Sequence, residues 1–180
     1  KSKKKPLSLE GEAQKPATSL NPVETVLASH GIAAATMHND VRLYFDGAEA
    51  YGILCREIAN AKESIYISTY LFQHDATTKG ILEALTRKAA QGVDVRLLID
   101  AVGSYSLYFW QRPLRAFREA GGKAVFFMPI WKHPLNNYIN LRNHRKIYLF
   151  DGKAVVAGGM NLGEKYLGLR SGKKRWVDMV

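Results

Sequence analysis

The sequence has a single cysteine, no long apolar run and no cluster of histidines, and each absence excludes a class of protein. The single cysteine, Cys55, allows no disulfide bond within the chain and is typical of a reducing compartment. No apolar run reaches the roughly 18 residues that cross a bilayer, so we expect a soluble chain without a membrane-spanning helix. The five histidines form no His-x-His pair and no ligand cluster with carboxylates, and we therefore expect neither a metal nor another cofactor.

Negative charge is scarce as well. The 180 residues include 26 Lys and Arg against 16 Asp and Glu, which gives a formal net charge of +10 at pH 7. Such a surplus favours polyanionic partners, namely nucleic acid, an anionic lipid surface or phosphorylated substrates. The charge alone does not choose among these three classes.

The first 40 residues differ in pattern from the rest of the chain. A basic run, Lys1-Ser2-Lys3-Lys4-Lys5, opens the sequence, and scattered prolines follow it. We expect a basic, partly extended N-terminal arm over residues 1–40, with a short helix from Pro22 to His30. A domain of ordinary size is expected over residues 41–180. Because the chain begins with Lys1, we expect a piece of a longer protein.

Strand and helix patterns alternate from Val41 onward. Apolar or β-branched runs predict strands at 41–45, 64–72, 93–99 and 123–128. Helical periodicity predicts three intervening helices, which begin after Asp46, at Thr77 or Thr78, and at Pro113. This alternation indicates an α/β sandwich in which helices flank a mostly parallel or mixed central sheet. Catalytic groups in such sheets tend to lie at strand ends.

A β-hairpin is predicted at the end of this series. The segments Arg145–Phe150 and Ala154–Ala157 have strand composition, and Asp151-Gly152 between them is a strong signal for a type I′ turn. A two-residue turn would place Lys146 opposite Ala157 and His144 opposite Gly159.

One face of this hairpin would carry a cluster of polar groups. With side chains alternating between faces, His144, Lys146, Gly159 and Asn161 point the same way. The small residues opposite the cations leave room for a ligand, and the three polar groups suit a phosphate. Asp151 lies seven residues from His144, about 23 Å along an extended strand, so we expect it to anchor the turn without touching a phosphate.

The spacing His144-x-Lys146-x4-Asp151-x6-Gly158-Gly159-x-Asn161 matches the HKD motif of the phospholipase D superfamily. The surrounding segment, RNHRKIYLFDGKAVVAGGMNLGEKYLG, resembles the first HKD motif of bacterial cardiolipin synthases. The segments LCREIANAKESIYISTYLF and GVDVRLLIDAVGS are similar to the sequence that precedes that motif. The resemblance covers roughly residues 41–180 and implies the phospholipase D fold, with the motif on a hairpin.

The resemblance also implies roles for single residues. His144 would be the nucleophile that forms a phosphohistidine, or its acid partner, while Lys146 and Asn161 would hold the non-bridging oxygens. Asp151 is the aspartate of the motif. An acidic residue after the motif would orient the histidine, and we assign this role to Asp178, with Glu164 as the alternative. Val177 departs from the family, which often has arginine there.

The chain contains a single HKD motif, since no other His-x-Lys occurs in it. We therefore expect half of an active site, completed by a second HKD half in the same parent chain or by a homodimer partner. The leading prediction is a cardiolipin synthase-type phosphatidyltransferase at the bacterial inner membrane, acting on an anionic, phosphatidylglycerol-like phospholipid. The alternative is a homodimeric single-HKD phosphodiesterase or endonuclease, for which nucleic acid is a possible partner. A non-catalytic binding module leaves the HKD residues unexplained.

Overall fold

The structure, a computed structural model, describes residues 22–33, 38–130, 142–168 and 178–180. Contacts divide the chain into two units, residues 1–42 and 43–180. In the first unit, helix α1 runs from Pro22 to Ser29, which confirms the short helix expected there.

All the strands among the described residues lie in the second unit. Its helices and strands, in chain order, are α2 (Gly47–Asn60), β1 (Ser64–Thr69), α3 (Ala76–Ala90), β2 (Asp94–Asp100), α4 (Tyr105–Phe109), a 3-10 turn (Arg112–Leu114), α5 (Arg115–Glu119), β3 (Lys123–Phe127), β4 (Ile147–Phe150), β5 (Ala154–Ala157) and α6 (Glu164–Leu167).

The strands form one mixed sheet in the order β3-β2-β1-β4-β5. Strands β1, β2 and β3 are parallel, whereas β4 is antiparallel to both β1 and β5. The predicted α/β class and mixed sheet are therefore confirmed. Because β4 runs antiparallel to β1, the C-terminal ends of β1 and β2 and the N-terminal end of β4 lie at the same end of the sheet.

Local signals explain where the two long helices begin. The Asp46 carboxylate accepts hydrogen bonds from the amides of Ala48 and Glu49 and caps α2, as the sequence predicts. Asp75 caps α3 in a reciprocal capping box with Thr78. Both helices then direct an apolar stripe inward.

The core lies between the sheet and helices α2, α3 and α5. Alternate residues of the parallel strands, among them Ile65 and Ile67 in β1 and Leu97 in β2, are buried against helix residues such as Leu54 and Leu85. Residues of opposite parity stay exposed, for example Tyr66, Val125, Ile147 and Val155. Among the described residues, no helix is long and apolar enough to cross a membrane.

One predicted strand is absent from this unit, and one of its helices was not predicted. Residues 41–45 form no regular strand; Tyr44 only exchanges two backbone hydrogen bonds with Val180. Helix α4 was not predicted, because its sequence, YSLYF, is too short and too aromatic for a helical period to be recognised.

Candidate active site

The candidate site lies at the end of the sheet where strand β1 ends and strand β4 begins; this end of the strands is called the sheet edge below. The chain after β5 reaches the same edge, where Leu162 forms a parallel bridge with Phe72, two residues beyond Tyr70. Backbone hydrogen bonds from Leu162 to Leu71 and from Gln73 to Leu162 hold this crossing. The sheet therefore gathers Tyr70, the His144–Lys146 segment and Asn161 at one edge.

The register of the β4–β5 hairpin differs by one residue from the predicted one. Ile147, not Lys146, lies opposite Ala157, and Phe150 lies opposite Ala154. Asp151 and Gly152 do have positive φ, at 51° and 65°, and the Lys153 amide closes the turn on the Phe150 carbonyl. Lys153 is then an extra residue on the second strand, as in a bulged hairpin, and it shifts every later pairing.

Asp151 occupies the turn, at the end of the hairpin away from the site. Its carboxylate accepts hydrogen bonds of 2.8–2.9 Å from the amides of Lys62, Glu63 and Ser64, just before β1. These amides lower the pKa of Asp151 to about 2. The expectation that Asp151 anchors the turn is confirmed.

His144 is exposed at the open end of the hairpin, and its ring lies on Tyr70. The two ring centroids are 3.9 Å apart, with an angle of 29° between the planes. Within the described residues neither imidazole nitrogen has a hydrogen-bond partner, so the Tyr70 ring is the feature that orients His144. Sequence analysis missed Tyr70, although its place at the end of a central strand is a usable signal.

Lys146 is buried, with 8% of its surface exposed, and its Nζ donates a 2.8 Å hydrogen bond to the His144 carbonyl oxygen. The same ammonium lies 5.8 Å from the Tyr70 ring centroid. Burial lowers the pKa of Lys146, and the charge of Asp178 opposes that shift. A desolvated cation is thereby held beside the histidine.

The two motif glycines make room for protein, not for a ligand. A Cβ on Gly158 would lie 2.1 Å from the Met179 carbonyl oxygen, and a Cβ on Gly159 would lie 2.0 Å from a carboxylate oxygen of Asp178. The Gly159 amide also donates to the Met179 carbonyl. The prediction of open space above Gly159 was wrong, because the Asp178 carboxylate fills it.

Asp178 therefore lies at the site: its carboxylate packs against Gly159, and its charge acts on Lys146. Its Oδ1 accepts a hydrogen bond from the Met179 amide, and no bond joins it to His144 within the described residues. The alternative residue, Glu164, begins α6, where its amide donates to Asp75. That either carboxylate orients His144 stays a prediction.

Asn161 is also placed for chemistry. It is buried, with 6% of its surface exposed, and its Oδ1 has no hydrogen-bond partner among the described residues. A buried, unpartnered amide oxygen is costly and is common where a site awaits a ligand.

A second pair of charged residues braces the same edge. The buried Asp100, at the end of β2, lies 3.8 Å from the Arg142 guanidinium, which also donates to the Met128 carbonyl. The Arg142 guanidinium, two residues before His144 in the sequence, is thus engaged by other protein groups. Arg142 ties the segment before His144 to the ends of β2 and β3.

A cavity of about 410 Å³ lies next to Tyr70. Gly103 forms part of its wall, and a Cβ there would lie 2.3 Å from the Tyr70 carbonyl oxygen. His74 and Lys165 line the cavity, and neither has an ionic or hydrogen-bond partner in the part of the chain that the structure describes.

Trp131, His133, Tyr138 and Trp176, which flank the motif in the sequence, lie outside the described residues. Tyr166 lines the cavity. Over the described ranges, no group of His, Cys, Asp and Glu is arranged to hold a metal ion.

Comparison with known families gives one match over most of the described domain. The profile described as "Cardiolipin synthase, PLD-like domain" matches residues 54–171. These bounds include His144, Lys146, Asp151 and Asn161.

Curated relatives agree with this match. The chain is 38% identical over 143 residues to a cardiolipin synthase of Clostridium perfringens, covering 79% of this chain and 29% of the relative. It is 39% identical over 153 residues to a cardiolipin synthase of Staphylococcus aureus, covering 85% of this chain and 31% of the relative. The chain thus spans about three tenths of the length of these relatives.

Solved structures share the fold. A phospholipase D family member, Nuc from Salmonella typhimurium, aligns with a TM-score of 0.56 at 18% identity, over 77% of this chain and 79% of that protein. Phosphatidylserine synthase from Haemophilus influenzae aligns with a TM-score of 0.60 at 22% identity, over 77% of this chain and 31% of that protein.

Proposed function

Because this chain belongs to the cardiolipin synthase family of phospholipase D-like domains, we propose that it carries one half of the active site of a phosphatidyltransferase. The observation that carries the proposal is the meeting of His144, Lys146 and Asn161 at one sheet edge, although they lie on opposite sides of the hairpin turn in sequence. A nucleophile, a buried cation and a side-chain amide whose NH₂ group can donate together suit a phosphodiester.

In this proposal His144 attacks the phosphorus of a phospholipid. A P–N bond forms, the ester P–O bond to the headgroup alcohol breaks, and a second acid gives the leaving oxygen its proton. An acceptor alcohol then loses its proton to that same group and attacks the phosphohistidine, so that the P–N bond breaks and a new phosphodiester forms.

Lys146 and Asn161 stabilise the negative charge that builds on the non-bridging oxygens. The burial of Lys146 strengthens this effect, since an ammonium outside bulk water interacts more strongly with a nearby anion. The Asn161 side chain can contribute its amide N–H groups. The charge of Asp178 raises the pKa of Lys146 against the effect of burial, while the Tyr70 ring stacks on the His144 ring.

The second acid must come from outside the described residues, because no other histidine lies in contact with His144 there. We propose a second HKD half in the same parent chain. This fits the share of the relatives' length that the chain covers. The substrate would be an anionic phospholipid of the phosphatidylglycerol type, encountered at the bacterial inner membrane.

The test is turnover by the complete enzyme on two classes of phosphodiester. Vesicles of phosphatidylglycerol should yield free glycerol and a condensed lipid in equal amounts, whereas DNA should stay uncut. Cleavage of DNA without glycerol release would support the homodimeric nuclease alternative and refute the proposal. Light scattering on the 180-residue chain separates the two further, since only the nuclease needs a symmetric dimer with paired His144 side chains.

A further inference from the structure

We propose that helix α4 and the residue after it form an anchor that seats this domain on an anionic lipid bilayer, next to the active site. The inference rests on the proposed function and specifies the surface that meets the membrane. Its central feature is an aromatic ridge, defined as Tyr105, Phe109 and Trp110.

The ridge is exposed to an extent that is unusual for large aromatic side chains. Tyr105 is 65% exposed, Phe109 is 49% exposed and Trp110 is 77% exposed. Tyr105 and Phe109 lie four residues apart and share a helix face. Leu107 is buried and holds the helix on the core, and the Tyr108 ring packs edge-on against Phe126 at 5.2 Å. Leu107 and Tyr108 thus attach the helix to the core, while Tyr105, Phe109 and Trp110 remain largely exposed, with the Phe109 ring edge-on to Tyr108.

The residue types fit the boundary of a bilayer better than a water-facing surface. Tryptophan and tyrosine combine a large apolar ring with one polar group, and they concentrate at the level of lipid headgroups. Clusters of exposed apolar residues commonly mark protein or membrane interaction sites.

Charge around the ridge favours an anionic bilayer in particular. Arg112, Arg115 and Arg118 follow the ridge; the Arg115 guanidinium is paired with Glu119 at 2.8 Å, and Arg118 donates to the Gln111 side chain. Arg112 has no ionic partner among the described residues, and Lys165, at the cavity beside the ridge, has none there either. Basic residues near an anionic leaflet strengthen binding to it.

The position of the ridge links it to catalysis. Gly103 packs on Tyr70, whose ring lies on His144, and the Ser104 hydroxyl donates to the Tyr70 carbonyl. Helix α4 starts at the next residue, and Tyr105 lines the cavity beside Tyr70. Five helical residues span only about 7.5 Å, so a bilayer that receives the ridge also meets the mouth of the site.

The first test is vesicle co-sedimentation of the 180-residue chain carrying Phe109→Ser and Trp110→Ser, with Tyr105 left in place. Vesicles contain equal parts of phosphatidylglycerol and phosphatidylcholine, and salt is raised to screen the contribution of the basic N-terminal run. We expect partitioning to fall by about tenfold or more, because apolar burial survives screening. The matched control, Phe45→Ser with Val125→Thr, removes side chains that are 61% and 60% exposed elsewhere and should leave partitioning unchanged.

A second readout does not depend on the folding of the double variant. In a chain whose other two tryptophans are replaced by phenylalanine, Trp110 emission should shift to the blue on vesicle addition and be quenched by brominated lipid. Unchanged emission, or equal partitioning of the double variant and the wild type, would overturn the anchor. A dimer that the double variant dissociates, with vesicle partitioning intact, would also overturn it, because a second copy would then cover the ridge.

Turnover separates this inference from the proposed function. In the complete enzyme the Phe109→Ser/Trp110→Ser variant should lose activity on vesicles but keep it on monomeric short-chain phosphatidylglycerol. A wild-type enzyme inactive on both substrates would refute the proposed function, while vesicle partitioning would still decide the anchor. Equal loss on both substrates would assign the ridge to the active site and overturn an anchoring role.

Discussion

The two ends of the β4–β5 hairpin carry residues of the same motif but are built in opposite ways. At the turn, the Asp151 carboxylate accepts hydrogen bonds from three backbone amides. At the open end, His144 is exposed and the Asn161 oxygen has no partner among the described residues. The hydrogen bonds at the turn end stabilise the fold, whereas the groups without partners at the open end can still bind a ligand. The motif therefore joins one structural residue to residues that we propose are catalytic.

Among the tests of this comparison, removal of the His144 side chain should have the largest effect on turnover. We expect His144→Ala to lower turnover of the complete enzyme by about 10⁴-fold or more, with an unchanged melting temperature. His30→Ala, at an exposed site in α1's flank, is the matched control. Full activity of the His144 variant would place the nucleophile elsewhere.

Tyr70 tests whether the open end is preorganised. Tyr70→Leu should lower kcat by up to about tenfold, because a stacked aromatic pair contributes about 0.5–1.5 kcal/mol. Tyr70→Phe keeps the ring and should restore the rate. The His144 ring resonances in NMR spectra should shift in the leucine variant only. Equal rates for both variants would mean that the stack plays no part in positioning.

Asp178 tests the electrostatic balance around Lys146. Burial lowers the Lys146 pKa and Asp178 counters it, so Asp178→Asn should lower that pKa further. The alkaline limb of the pH–rate profile, which reports loss of the ammonium proton, should move to lower pH. Asp94→Asn, at the opposite edge of the sheet, should leave the limb in place. An unmoved limb in the Asp178 variant would show that the two charges are not coupled.

The turn end should respond in stability and hardly at all in chemistry. Asp151→Asn should lower the melting temperature by several degrees while the folded enzyme keeps nearly normal kcat, since the residue touches amides far from His144. A large loss of kcat in a stably folded variant would contradict the structural role.

Acid sharpens the same contrast. The folded pKa of Asp151, about 2, lies below its ordinary value of 3.8, so its stabilisation is complete above pH 4 and disappears as pH falls through about 2. The gap in melting temperature between wild type and Asp151→Asn should therefore close over that range. A constant gap would mean that the charge of Asp151 does not stabilise the fold.

The sequence predicted features that local chemistry decides. Caps such as Asp46, the apolar strands and the positive φ of Asp151 and Gly152 each depend on neighbours a few residues away. The hairpin register escaped prediction because one bulged residue, Lys153, displaces all later pairs. The contacts of His144 with Tyr70 and of Asp178 with Gly159 depend on how distant segments cross, which no local pattern records.

The extra residue Lys153 has a further consequence for the motif itself. With β4 and β5 paired from Ala154 to Ala157, the six residues between Asp151 and Gly158 measure out one turn closure and one four-residue strand. The spacing of the motif therefore sets the length of β5. At about 3.3 Å per strand residue, this length places the glycine pair and Asn161 level with Lys146. Inserting a single residue into β5 would keep every residue type of the motif and still misplace its last three, Gly158, Gly159 and Asn161.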